Sequence, residues 1–194
     1  TSRVIVYRPV EAAFIAELQA AVAALPLGPV DDARCAVGPL ITPESKQRIE
    51  DTLRRYPAES IFGGELPDDR HYADGNWFAP RVLRLAGPDD ELARIELFGP
   101  VLGVLVADDL DQAVEMANAT PFGLSASLFT RDLRSALTYI RRIEAGLVRV
   151  NGDTTGVDPH APFGGTKASS AGGREQGRAA REFYTEIRTV QVHP

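Results

Sequence analysis

The first part of the chain contains short strand-like runs of apolar residues and segments in which apolar residues recur at helical spacing. The run Arg3–Tyr7 is typical of a strand, and apolar residues recur within 10–25 at the spacing of one helix face. Pro43 opens a second helical pattern, and strand-like runs follow at 60–62 and 77–85.

The middle of the chain is more regular, because three strand-like segments are separated by two amphipathic helical segments. The strand-like segments are 101–107, 125–130 and 147–151. Asp108 or Asp109 is expected to cap the first helix, and Thr130 or Asp132 the second. This β-α-β-α-β order with short links predicts an α/β fold, a parallel sheet with flanking helices and right-handed crossovers.

The C-terminal segment has a different pattern. Residues 175–184 are expected to form a helix, and residues 188–193, RTVQVH, alternate polar and apolar side chains. Such alternation predicts a half-buried strand. That strand can pair within its own domain or with another chain.

Composition and charge argue against two classes of binding partner. The chain has 194 residues, 44% of them hydrophobic and 25% charged, with a net charge of -6. Its basic residues are scattered among acidic ones, which argues against nucleic acid and anionic membranes as partners. No apolar run approaches the roughly 20 residues that span a bilayer.

Cysteine and histidine usage argues against a disulfide or a metal site. Cys35 is the one cysteine, and His71, His160 and His193 show no metal-ligand spacing. We expect a reducing, cytoplasmic setting and no bound metal. Cys35 lies beside the cation Arg34, which can activate a thiol, but an incidental thiol is the favoured interpretation.

A glycine-rich stretch, residues 160–177, raises the question of nucleotide binding. Gly172 and Gly177 have the spacing of a phosphate loop, but Arg178 and Ala179 follow where lysine and a hydroxyl are required. The G-x-G-x-x-G fingerprint is absent as well. An independent nucleotide-binding module is therefore disfavoured, and the glycines are better explained as turn residues. His160 in this stretch is expected to be an exposed surface residue.

Glu96 precedes the buried strand at 101–107, where a Gly-Pro pair bends the chain. Its carboxylate is either an acceptor for a ligand hydroxyl, with Phe98 as an apolar wall, or a capping or salt-bridging group. Residue chemistry alone leaves both interpretations open.

Seven segments together resemble the aldehyde dehydrogenase superfamily, in the family's order and over essentially the whole chain. They are GPLIT (38–42), ELFGPVLGV (96–104), TPFGLSASLFTRD (120–132), GLVRVN (146–151), APFGGTKASS (161–170), GREQG (173–177) and EFYTEIRTV (182–190). The resemblance implies the C-terminal part of the catalytic domain at 1–185 and an oligomerisation tail strand at 186–194.

The resemblance also implies roles for individual residues. Glu96 matches the glutamate that hydrogen-bonds the nicotinamide ribose, although the acidic residue that precedes it in the family is Ile95 here. Phe98 matches the aromatic residue beside the nicotinamide. Within the glycine-rich stretch, Phe163 matches the aromatic residue of the substrate tunnel and Glu175 matches a glutamate on the proton and water path. Thr154 and Thr155 precede that stretch, in the loop that shapes the pocket in the family.

A chain beginning TSRV is expected to lack the family's nucleophilic cysteine, general-base glutamate, oxyanion asparagine and Rossmann-type cofactor domain, all of which would lie upstream. The resemblance implies a parent enzyme that oxidises an aldehyde with NAD or NADP through a thiohemiacetal and a thioester. The chain alone is expected to be inactive. Self-association through the tail strand, as a homodimer or homotetramer, is the implied assembly.

The substrate is the least determined property. The motif combination most resembles 2-oxoglutarate semialdehyde dehydrogenases, and succinate semialdehyde or a general aldehyde is the alternative. An anionic substrate favours a cation near the tunnel, for which Arg149, Arg174 and Lys167 are candidates. A different class also stays open, a non-catalytic truncated paralogue that acts as an assembly partner.

Overall fold

A four-stranded sheet organises the first of two units, Thr1–Ala119 and Thr120–Pro194, in this computed structural model. Residues 1–68, 72 and 75–194 are described. Its strands are β1 (Arg3–Tyr7), β2 (Glu59–Gly63), β3 (Arg81–Arg84) and β4 (Val101–Ala107), in the order β1-β4-β3-β2. β4 runs parallel to β1 and β3, and β2 is antiparallel to β3.

Among the described residues, the α-helices of the first unit are α1 (Glu11–Ala23), α2 (Pro43–Arg55), α3 (Glu91–Arg94) and α4 (Leu110–Asn118). The positions of α1, α2 and α4 agree with the helices that the apolar pattern predicts. The Asp109 carboxylate accepts a hydrogen bond from the Gln112 N–H at 2.8 Å and caps α4. Asp109, rather than Asp108, is therefore the capping residue.

The core of the first unit lies on both faces of its sheet. Val104 is 0% exposed in a cluster with Val6 and Val82, whereas Leu105 is 1% exposed in a second cluster around Ile49. Successive residues of β4 thus enter different clusters, because side chains alternate across a sheet. Burial on both faces explains the continuous apolar run of β4.

The second unit has two small sheets. Its strands are β5 (Phe122–Gly123), β6 (Ser125–Leu128), β7 (Leu147–Val150) and β8 (Thr166–Lys167). β6 and β7 pair in parallel, and β5 and β8 pair in antiparallel. Helix α5 (Leu133–Arg142) connects β6 to β7 and is capped by the Asp132 carboxylate, which accepts from the Ser135 N–H at 2.8 Å.

The predicted α/β class with a parallel sheet and flanking helices is confirmed, but two details of the prediction are wrong. β4, β6 and β7 do not share one sheet, because β4 is hydrogen-bonded between β1 and β3. The predicted helix at 175–184 is a 3-10 turn, Gly177–Ala179, followed by one short helix, α6 (Ala180–Phe183).

Residues 185–194 have no regular secondary structure and are exposed throughout. The predicted strand at 188–193 therefore does not pair within the chain. The apolar members of its alternating pattern face solvent, with Val190 72% and Val192 87% exposed. Pairing with another chain stays a prediction. Among the described residues, no helix is long and apolar enough to cross a membrane.

Candidate functional site

In the first unit, Glu96 and Phe98 lie on the segment that connects α3 to β4. Leu97, between them, is 9% exposed, and its carbonyl accepts a hydrogen bond from Arg48 Nη2 of α2 at 2.9 Å. A Cβ on Gly99 would collide with the Ile49 side chain of the same helix. Arg48 and Ile49 thus hold this segment close against α2.

The anchoring of Leu97 turns the side chains on either side of it outward. Glu96 is exposed, and Phe98 is 77% exposed with a φ of 52°, in the left-handed region. A phenylalanine adopts this conformation at an energetic cost, so the surrounding contacts must impose it. The result is a carboxylate and an aromatic ring presented together to solvent.

The alternative roles for Glu96 are not observed. Across the described parts of the chain, its carboxylate forms neither an ion pair nor a hydrogen bond, and α3 is capped by Asp90 instead. The carboxylate is therefore available to accept a hydrogen bond from a ligand hydroxyl.

In the second unit, β7 and the segment between β7 and β8 line an open cavity of about 280 Å³. β7 contributes Arg149 to the lining, and the segment that follows β7 contributes Val157, Pro162 and Phe163. The lining residues are Gly146, Leu147, Val148, Arg149, Gly156, Val157, Asp158, Ala161, Pro162 and Phe163.

Phe163 and Glu175, which are both predicted site residues, are neighbours in this unit. The Phe163 N–H donates to the Glu175 carbonyl at 2.6 Å, and the Glu175 N–H donates back to the Phe163 carbonyl at 3.0 Å. This isolated bridge joins the two ends of the glycine-rich stretch. The Tyr184 hydroxyl donates to Glu175 Oε2 at 3.4 Å, and Glu175 itself is half-buried.

Thr154 and Thr155 lie on the same loop but do not line the cavity. The Thr154 carbonyl accepts a hydrogen bond from the Ser125 hydroxyl at 3.3 Å, and the Thr155 hydroxyl donates to Asp153 Oδ1 at 2.9 Å. Val157 and Asp158, which follow them, do line the cavity, and sequence reasoning missed both. Their position between the GLVRVN and APFGG segments was the available signal.

The surroundings of the Asp153 carboxyl group favour its ionised form. It accepts from the hydroxyl and the N–H of Thr155, both at 2.9 Å, and lies 3.2 Å from Arg149 Nη1. The Thr155 hydroxyl, the Thr155 N–H and the Arg149 charge, in that order, lower the pKa of Asp153.

The three candidate cations for an anionic substrate are all engaged. Arg174 donates to the Gly165 carbonyl, and Lys167 Nζ pairs with Glu144 Oε2 at 2.6 Å. Arg149 donates to several groups of residues 153–156. Each cation thus binds other groups of the second unit.

Cys35 lies in the loop between α1 and α2 and is half-buried. The neighbouring cation, Arg34, is bound by Asp32, with Nη2 2.7 Å and Nε 2.9 Å from its carboxylate oxygens. The guanidinium is thus committed to a carboxylate. This arrangement agrees with an incidental thiol.

His160 is exposed, as predicted, and its N–H donates to Asp158 Oδ1 at 2.9 Å. His71 lies outside the described residues. Within residues 1–68, 72 and 75–194, no three His, Cys, Asp or Glu side chains converge as a metal site would require.

Comparisons with known proteins agree on one family. The model of the aldehyde dehydrogenase family matches residues 1–190. An alpha-ketoglutarate semialdehyde dehydrogenase of Haloferax volcanii is 38% identical over 97% of this chain and 40% of its own length. A betaine aldehyde dehydrogenase of Rhizobium etli is 36% identical over 98% of this chain and 39% of its own.

The solved structures show the same likeness. An NAD-dependent aldehyde dehydrogenase from Sinorhizobium meliloti superposes with a TM-score of 0.88 at 34% identity, covering 98% of this chain and 38% of that one. The chain therefore spans about two fifths of the length of these relatives.

Proposed function

The chain belongs to the aldehyde dehydrogenase family, and we propose that it forms the ribose-contacting and pocket-wall part of an enzyme that oxidises an aldehyde to a carboxylate with NAD or NADP. The observation that carries this proposal is the outward presentation of Glu96 beside Phe98. The NAD-dependent relative of known structure and the family match over residues 1–190 support it.

Glu96 and Phe98 fit a nicotinamide nucleoside. A carboxylate that binds no other described residue can accept hydrogen bonds from ribose hydroxyls, and charge-assisted bonds of this kind are the stronger ones. An aromatic ring that is 77% exposed offers an apolar surface for a flat heterocycle. A nicotinamide held there would supply the hydride acceptor for oxidation of the aldehyde.

The second unit is proposed to supply the aldehyde pocket. Val157 and Phe163 give its cavity an apolar wall, and 280 Å³ is close to the lower limit of ordinary ligand pockets. Thr154 and Thr155 shape the loop next to it. Glu175 is proposed to accept and pass on protons near the reacting thiol, since its carboxyl lies on the segment that is bridged to Phe163.

The attacking thiolate is proposed to come from outside residues 1–194, because Cys35 is in a loop whose cation is already bound by Asp32. A covalent thiohemiacetal and then a thioester would form on that external cysteine, and water would release the acid. We therefore expect residues 1–194 by themselves to form no NADH.

Two aldehyde classes are candidates. The resemblance to the Haloferax semialdehyde dehydrogenase favours 2-oxoglutarate semialdehyde, and succinate semialdehyde or a general aldehyde is the alternative. The engagement of Arg149, Arg174 and Lys167 implies that a cation for a substrate carboxylate would come from elsewhere in the protein.

The test measures NADH or NADPH formation by the complete gene product with three substrates, 2-oxoglutarate semialdehyde, succinate semialdehyde and acetaldehyde. We expect turnover by the complete protein and none by residues 1–194. Equal kcat/KM for the first substrate and acetaldehyde would remove the semialdehyde assignment. Absence of turnover with every aldehyde would remove the enzymatic proposal.

A non-catalytic assembly partner is the second candidate function. The observation that favours it is the exposed tail, where Ile187, Val190 and Val192 are 96%, 72% and 87% exposed. In either case we propose that the tail pairs with another copy, giving a homodimer or homotetramer. Light scattering of the complete protein, with and without residues 186–194, tests this. An unchanged mass after truncation would contradict the role of the tail.

A further inference from the structure

Arg149 of β7 binds the loop that follows its own strand. Its Nη1 donates to the Asp153 carbonyl at 2.7 Å, to Asp153 Oδ1 at 3.2 Å and to the Thr155 carbonyl. Its Nη2 donates to the Gly156 carbonyl at 2.6 Å. One side chain thus binds four acceptors that belong to three residues of the loop, Asp153, Thr155 and Gly156.

The planar guanidinium is suited to this task. It carries five N–H donors in a rigid fork, and its charge strengthens each bond to a carbonyl oxygen. A lysine ammonium is a single compact charge on a flexible stem and cannot span the same set of acceptors. The side chain of Arg149 is 30% exposed, so most of it is shielded from competing water.

The loop needs such an anchor, because it has no strand or helix of its own. Residues 153–156 form no regular secondary structure, and Gly156 turns the chain with a φ of 80°. The bonds from Ser127 to the Gly152 carbonyl and from Ser125 to the Thr154 carbonyl hold the earlier part of the loop to β6. The carbonyls of Thr155 and Gly156, next to the cavity wall, are held by Arg149.

We infer that Arg149 is a positioning residue of the aldehyde pocket, which fixes the place of Val157 in the cavity lining that it shares with Phe163. The guanidinium acts through the loop and does not bind the carboxylate of the substrate. The assignment of this pocket to an aldehyde rests on the proposed function. The positioning role of Arg149 rests on its contacts within the second unit.

The first experiment follows amide hydrogen exchange in the complete gene product. Arg149→Gln and Arg149→Lys are compared with Arg131→Ala, which removes an exposed arginine outside the cavity lining. Peptides covering 150–160 should exchange at least tenfold faster in both Arg149 variants, with those covering α5 unchanged. Exchange as slow as in the wild type would overturn the anchoring role.

The second experiment compares two four-carbon aldehydes, succinate semialdehyde, which carries a carboxylate, and butanal, which does not. Loss of the anchored wall should raise KM for both at least tenfold, with kcat and the KM for NAD changed less than threefold. Lysine at position 149 should not restore KM.

The outcomes separate the possible roles of Arg149. A rise in KM for succinate semialdehyde alone, or rescue by lysine, would make Arg149 a direct carboxylate ligand and overturn the inference. Parallel losses in kcat and in both cofactor and substrate KM would show general damage and overturn it too. If the wild type oxidises no aldehyde, the proposed function fails, and hydrogen exchange still decides whether Arg149 holds the loop.

Discussion

Replacing Gly146 with alanine is expected to destabilise the second unit strongly. Gly146 precedes β7, and its N–H donates to the Gly123 carbonyl at 3.0 Å. A Cβ at this position would lie 2.8 Å from both the Gly164 carbonyl carbon and the Gly165 Cα, and closer still to the Gly164 oxygen. The main chain of the cavity segment thus approaches β7 where only a hydrogen atom fits.

The size of the effect follows from those distances. Nonbonded carbons prefer about 3.5–4.0 Å, so the two backbones would have to separate by roughly 1 Å. Backbone on both sides is held, since Gly164 also packs against the Arg174 side chain. Overpacking costs about 1–3 kcal/mol when side chains can adjust, and we expect the upper end, about 3 kcal/mol. That corresponds to a loss of roughly 6–12 °C in Tm for a chain of this size.

The assay is thermal unfolding followed by circular dichroism, with Gly152→Ala as the matched control. A Cβ at Gly152 would meet only Arg149 side-chain carbons, at 3.9 and 4.0 Å, which is ordinary contact. We expect that control to change the free energy of unfolding by less than about 1 kcal/mol. A Gly146→Ala protein with the Tm of the wild type, or two variants of equal Tm, would refute the reasoning.

Three further predictions concern the core, the cofactor and a helix cap. Ile49→Ala should cost about 2–5 kcal/mol in urea unfolding, since Ile49 is fully buried, whereas Ile41→Ala, at a side chain 89% exposed, should cost less than about 0.5 kcal/mol; equal costs would contradict this. Glu96→Ala should raise KM for NAD about tenfold, from the loss of a charge-assisted bond of roughly 1.5 kcal/mol, without changing KM for the aldehyde; an unchanged KM for NAD would remove the ribose contact. Asp132→Ala should lower the urea midpoint at pH 7. The hydroxyl and N–H of Ser135 lower the pKa of Asp132 in the folded state, so its stabilisation is complete above the ordinary Asp pKa of about 3.9 and lost as pH falls below it. The difference in midpoint between variant and wild type should therefore shrink at low pH, and a constant difference from pH 7 to pH 2 would contradict the cap.

The periodicity of apolar residues predicted most helices and strands because these elements are stabilised by burying one face or both. The continuous apolar run at 101–107 predicted a strand covered on both sides, and Val104 and Leu105 are both fully buried. The sequence did not predict which strands would be hydrogen-bonded to that strand. Pairing depends on which edge a strand meets, and β4 lies between β1 and β3 rather than beside β6.

The candidate site shows the same division. The sequence motifs identified Glu96, Phe98, Phe163 and Glu175 as candidate site residues. The groups that surround each of these side chains are visible only in the structure. Phe98 points outward because Leu97 is bound by Arg48 of α2, a residue 49 positions away in sequence. No local pattern encodes that contact.

Sequence alone determined the family, the α/β class and most of its elements, and it limited each of two helix caps to two residues, because these properties depend on local spacing, local hydrogen bonds and motifs in order. The tertiary structure decided which acceptor groups the cationic side chains bind. Arg149, Arg174 and Lys167 are equivalent in sequence as candidate cations, yet the fold directs two to carbonyl oxygens and one to Glu144. A charged side chain binds the nearest acceptors that the backbone path supplies, and that path is set by packing between residues far apart in the chain.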